Sequence, residues 1–141
     1  MLTTGPTGLD SNAERLTTIE VGTPVVAIAI NRASTIAALV ASDNSLILLD
    51  AASGERLGEA LIEAPAVRQI EFFVANNRQW LAVIREGQPE VLLLDATNPA
   101  NIQPGGMFAL ERAPQAVTAY DNLIIVADGQ TVSIFTVGSE G

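Results

Sequence analysis

Histidine, cysteine and lysine are missing from the 141 residues. Without imidazole or thiol the chain cannot build a Ser-His-Asp or Cys-His nucleophile, a disulfide, or the usual zinc sites. Without lysine it cannot form a Schiff base. Positive charge is scarce as well: seven arginines stand against sixteen carboxylates, for a net charge of −9. That balance argues against a phosphate-backbone partner, which needs clustered basic residues. Apolar runs such as Val25–Ile30 and Val91–Leu94 fall far short of the ~18–20 residues that cross a bilayer. Residues Met1–Asp10 carry neither a basic region nor an apolar core and do not read as a secretory signal. The expectations are therefore no nucleic acid, no membrane and no cofactor. A cytoplasmic location is the lean, although a piece of an exported protein would have the same composition.

What the chain does have is apolar volume, 48% of its residues, in a length suited to one domain. The apolar residues come in short, β-branched runs separated by turn residues, which is the pattern of strands. The runs repeat. Three segments open alike, at Thr23-Pro24-Val25-Val26, Ala64-Pro65-Ala66-Val67 and Ala113-Pro114-Gln115-Ala116. Each leads to a second run (Ile36–Ala41, Trp80–Ile84, Leu123–Ala127), a polar turn, and a third run (Leu46–Asp50, Val91–Asp95, Val132–Thr136). A weaker fourth strand follows the first two units, at Arg56–Ile62 and Gly106–Leu110, but not the third. A period in the forties with four short strands per unit is the signature of a propeller blade. The fold class expected is all-β, with about three four-stranded antiparallel blades over residues 15–137. Residues 1–14 and 138–141 read as tails. Leu16–Val21 alternates as a strand with no unit before it, so it is expected to serve as the fourth strand of the last blade, against Thr131–Val137, within one chain or swapped between two. Three blades cannot close a ring of the known ~4–8. The chain is therefore expected to be half of a six-blade ring, a homodimer joined through exposed blade faces, with a part of a larger propeller as the alternative.

Two stretches carry a family resemblance. Val91-Leu-Leu-Leu-Asp-Ala-Thr-Asn-Pro-Ala-Asn101 and Tyr120-Asp-Asn-Leu-Ile-Ile-Val-Ala-Asp128 resemble the LVIVD-repeat class of β-propeller. Ser45-Leu-Ile-Leu-Leu-Asp-Ala-Ala-Ser-Gly-Glu-Arg-Leu57 resembles instead the strand-Asp-turn signature of WD-repeat and quinoprotein-like propellers, although the Gly-His and Trp-Asp pairs of WD repeats are absent. The resemblance implies blades and an interaction platform, and it names no ligand.

Candidate site residues follow from the blade scheme. The connections before each first strand and those between second and third strands should emerge at one end, gathering Asp43, Asn44, Glu63, Arg85, Glu86, Arg112, Asp128 and Gln130. Such a polar, fairly acidic rim suits a protein, peptide or glycan partner, and non-catalytic scaffolding is the expected function. An enzyme of the hydrolase or quinoprotein-like propeller type is the alternative. Asp50 and Asp95 end strands and are expected to accept backbone N–H groups in turns. Arg85, Glu86, Glu111 and Arg112 read as solvated charges. The Asp43 and Asp128 turns lack the spacing of a calcium loop. The adjacent Phe72 and Phe73 point to opposite sides of a strand, so both can be buried only if both faces of the blade are covered.

Overall fold

The computed structural model describes residues 14–137. Apart from Glu14, the two expected tails lie outside the described residues. Eleven strands form three antiparallel sheets whose spatial order is the chain order. The first sheet contains β1 (Val25–Ile30), β2 (Ile36–Ala41), β3 (Ser45–Asp50) and β4 (Arg56–Leu61). The second contains β5 (Val67–Ala75), β6 (Arg78–Arg85), β7 (Glu90–Asp95) and β8 (Gln103–Ala109). The third has only β9 (Ala116–Tyr120), β10 (Leu123–Ala127) and β11 (Val132–Thr136). This is a partial propeller of three blades.

Local chemistry sets the hairpins. Asn76 and Asn77 both take positive φ, 55° and 61°, which makes the tight two-residue turn between β5 and β6. Asn44, with φ of 69°, turns β2 into β3, and Gly129, with φ of 109°, sits in the β10–β11 turn. At the strand ends Asp50 accepts the N–H groups of Ala52 and Ser53, both at 2.9 Å, and Asp95 accepts those of Thr97 and the Thr97 hydroxyl. The turn role expected for both aspartates is the one they have.

Packing between sheets supplies the core. Ala27, Val40, Leu46 and Leu48 of the first sheet meet Ile70, Phe72, Leu81 and Val83 of the second. The opposite face of that second sheet, through Phe73, Ala82, Ile84 and Val91, meets Val117, Ile124 and Val126 of the third. Phe72 and Phe73 are both buried and belong to different cores, as two-sided coverage requires. Near the axis the innermost strands touch, and Gln69 uses its side-chain amide like a peptide group, donating to the Val117 carbonyl and accepting from the Val117 N–H. At the outer edge contact is equally close. A Cβ on Gly58 would stand 1.6 Å from the Pro99 carbonyl oxygen, so β4 meets the β7–β8 loop of the next blade at a point only glycine can occupy.

The first strand expected from the sequence is not there. Residues 14–21 have no strand pairing, and among the described residues β11 has β10 as its sole neighbour within the sheet. Ile19 and Val21 pack on Leu39, Ile47 and Leu49, on the face of the first sheet turned away from the other two. The physical reason is distance along the arc. Residues 22–24 tie this segment to β1, at the opposite end of the three-blade stack from β11, and the nearest apolar surface is the open face of its own blade.

Two consequences can be measured. Phe73→Ala should lower unfolding free energy by about 3–5 kcal/mol, whereas Val74→Ala, on the neighbouring exposed side chain, should cost no more than about 0.5 kcal/mol. Equal losses in urea titrations would contradict the two-sided burial of β5. The second concerns acid. The Ser53 and Ala52 amides hold Asp50 below its ordinary pKa. Asp95 is pushed up by burial, but the Thr97 hydroxyl and amide and the Arg78 guanidinium outweigh this and leave it lowered. A depressed carboxylate contributes stability above its unfolded pKa of about 3.9 and loses it as pH falls through the folded value. Melting temperature should therefore be flat from neutrality to about pH 5 and fall below about pH 4. Asp95→Asn should show a shallower fall than the parent chain.

Candidate functional site

The connections that carry the expected rim residues lie at one end of the molecule. In every blade the end of the second strand is hydrogen bonded to the loop that precedes the first, with the strand end donating in the first two blades and the loop donating in the third. Ser42 N–H donates to the Pro24 carbonyl, Glu86 N–H to that of Ala66, and Gln115 N–H to that of Ala127, each at 2.8 Å. The connections before β1, β5 and β9 thus share one end of the molecule with the β2–β3, β6–β7 and β10–β11 turns.

Two rim residues are internal supports and not contact groups. Asn44 is buried. Its amide donates to the carbonyls of Ile62 (3.1 Å) and Pro65 (3.0 Å), and its Oδ1 accepts the Val67 N–H (3.2 Å). It therefore fastens the first blade's turn to the linker that opens the second. Arg85 was expected to be solvated and is instead 5% exposed. Its guanidinium donates to the Glu63 and Ala64 carbonyls at 3.1 and 3.2 Å and is paired with Glu90. A buried cation persists only when its charge and its donors are matched in this way. An arginine between Ile84 and Glu86 gives no sign in the sequence that carbonyls from a linker some twenty residues earlier will enclose it.

The remaining rim residues face outward or line the turns. Asp43 is exposed, and its carboxyl is held low by the Ser45 N–H that it accepts at 3.0 Å. Glu63 and Glu86 are exposed, with Glu86 at 2.9 Å from Arg68, whose Nε also donates to the Gln115 carbonyl. Asp128 is half-buried, and the Thr131 hydroxyl leads the effects that lower its pKa, with Arg112 adding an attraction. Arg112 and Gln130 are exposed. Glu86 and Glu90 do not work on each other, because each is engaged by a different arginine. Among the described residues no group of three acidic side chains is placed to hold a metal ion.

The other end holds polar groups that no local sequence pattern marks. Asn31 is buried in the β1–β2 turn, where its amide donates to Thr35 and to the Gln79 side chain, both at 2.9 Å. Gln79 in turn donates to the Ala96 carbonyl. Arg32 lies 4.8 Å from the centre of the Tyr120 ring and 3.5 Å from Asp121, bridging the first and third blades. Beside them a hollow of about 250 Å³ is lined by Ile30, Asn31, Glu71, Gln79 and Tyr120, among others. Burial pushes the Glu71 carboxyl up. Asn31 is a turn residue by its sequence context, and only the arrival of Gln79 from the second blade makes it internal.

No protein-family model and no curated protein sequence matches the chain. Solved structures do. Sqt1 of Saccharomyces cerevisiae superposes on 84% of the chain with a TM-score of 0.65 at 12% identity. Hsv2 of Kluyveromyces lactis does so over 82% with 0.62 at 17% identity, and the WD40 repeats of RRP9 over 86% with 0.60 at 14% identity. The chain spans about a third of the length of each, namely 33%, 34% and 37%. At these identities the likeness is one of fold, and the fold is that of three β-propeller blades.

Proposed function

We propose that the chain is a non-catalytic interaction module that takes a polar or basic segment of a protein partner on its rim. The observation that carries this reading is the rigid mounting of exposed carboxylates. Asp43, Glu63 and Glu86 stand on turns whose backbone is fixed from below by Asn44 and Arg85. Loops held in this way present charge at little ordering cost, which favours recognition by preorganisation. Arg112, Asp128 and Gln130 continue the same surface onto the third blade. The propeller neighbours and the LVIVD-like stretches at Val91–Asn101 and Tyr120–Asp128 are in keeping with a platform role. A glycan would use the same rim through neutral hydrogen bonds, and salt dependence separates the two ligand classes.

A library of arginine- and lysine-rich peptides, read by fluorescence anisotropy at low and at moderate salt, tests the reading. The best binders should weaken as salt rises. With each exposed charge contributing up to about 0.5 kcal/mol, the combined Asp43→Asn, Glu63→Gln and Glu86→Gln variant should bind roughly tenfold less tightly. Unchanged affinity in that variant, together with loss on Arg32→Ala, would move the binding surface to the opposite end.

A further inference from the structure

The first and third sheets each leave one face open, and the two faces are of complementary kinds. On the first sheet that face carries Ile28 and Ile30, which are exposed, and Leu39, Ile47 and Leu49, which Ile19 and Val21 already cover. By strand register these correspond to Ile70, Phe72, Val83, Leu92 and Leu94 of the second sheet, which pack towards the first sheet. On the third sheet the open face carries Tyr120, Leu123, Ile125, Val132 and Ile134. These correspond to Phe73, Trp80, Ala82, Val91 and Leu93 of the second sheet, which pack towards the third. The open face of the third blade is therefore the kind that, inside this molecule, covers the kind opened by the first. Ile28 and Ile134, one on each face, are 72% and 66% exposed. Apolar area of this sort is characteristic of an interface.

The segment before β1 supplies a second, independent observation. In the first core Leu57 and Ala60 of β4 lie with Leu92 and Leu94 of β7, and between the second and third blades Phe108 of β8 lies 4.8 Å from Phe135 of β11. Ile19 and Val21 sit in the equivalent place on the first blade, against Ile47 and Leu49 of β3. Their place in the chain is equivalent too. Val21, Ile62 and Leu110 precede Pro24, Pro65 and Pro114 by three, three and four residues. Leu16–Val21 thus occupies the position of a fourth strand whose blade has no first three. Among the described residues the blade of β9, β10 and β11 has three strands and no fourth.

We infer that the occupant of both open faces is a second copy of this chain. The third blade of each copy docks on the first blade of the other, and β11 pairs antiparallel with Leu16–Val21 of that other copy, placing Val132 opposite Ile19. The two seams are related by a two-fold axis and repeat the packing already present between neighbouring blades. Six is the only multiple of three within the ~4–8 blades of known rings. The closed ring also removes the free edge of β11, which would otherwise be a template for uncontrolled pairing. This inference is independent of what the rim binds.

Light scattering after gel filtration at micromolar concentration should give twice 14.7 kDa, and Ile28→Asp or Ile134→Asp should shift the protein to monomer with its circular dichroism intact. Because the chain has no cysteine, the double variant Ile19→Cys, Val132→Cys adds a site-specific check. Oxidation should give a covalent dimer on a non-reducing gel, and neither single variant should. A parent chain of 14.7 kDa at every concentration overturns the inference. So does a polymer of variable length, or a disulfide that forms within one chain.

Discussion

Every feature of this chain follows from the fact that a propeller blade must bury both faces. A sheet with one wet side can alternate apolar and polar residues, whereas a blade between two others cannot. That is why β5 places Phe72 and Phe73 side by side in two separate cores, and why β6 and β7 read as nearly unbroken aliphatic runs. The same requirement reaches to the ends of the stack. The first and third blades have the composition of internal blades, so their outward faces are apolar in the same positions, and Ile19 and Val21 cover part of one of them.

Hydrophobic burial is non-directional, and on its own it would let blades slide against one another. The polar side chains that cross between blades provide the direction. Asn44 links the first blade to the start of the second, Gln69 links the second to the third by imitating a peptide group, and Asn31 with Gln79 joins the first to the second at the far end. Each is satisfied by named partners, which is the condition under which a buried polar group specifies an arrangement. Arg85 adds the only charged member of this set among the described residues classed as buried. Rim and core are in this sense one construction, because the groups that keep the turns rigid are the groups that hold the blades in register.

Much of the architecture could be read from the residues. The three prolines, the aliphatic runs and the turn dipeptides recur with a period that local physics can recognise, and Asp50 and Asp95 take their turn roles from neighbours two and three residues away. The sharing of one end by six connections also follows from strand alternation. What could not be read depends on contacts between distant parts of the chain. Arg85 looks like a surface charge until carbonyls from residues 63 and 64 are placed around it. Leu16–Val21 has the alternation of a strand, but alternation does not say which edge it will find, and within one chain it finds a face instead. Glu71 and the Arg32–Tyr120 stack join three blades, and no local pattern in the sequence brings those blades together.

The meander order of the sheets has a further consequence for how the molecule is made. Every strand pairs with the strand before or after it, and each blade then packs on the blade next in the chain. Most contacts lie within a blade or with the next one, so loop-closure entropy is met blade by blade. A chain emerging from the ribosome can complete β1 to β4 before β5 exists and can add each later blade to a finished surface. Stability in such a stack is close to a sum of units and nearest-neighbour interfaces. Whole blades can accordingly be gained or lost over evolutionary time without rewriting the contacts of those that remain, whereas a single-residue deletion inside β5 would exchange the residues of the two cores.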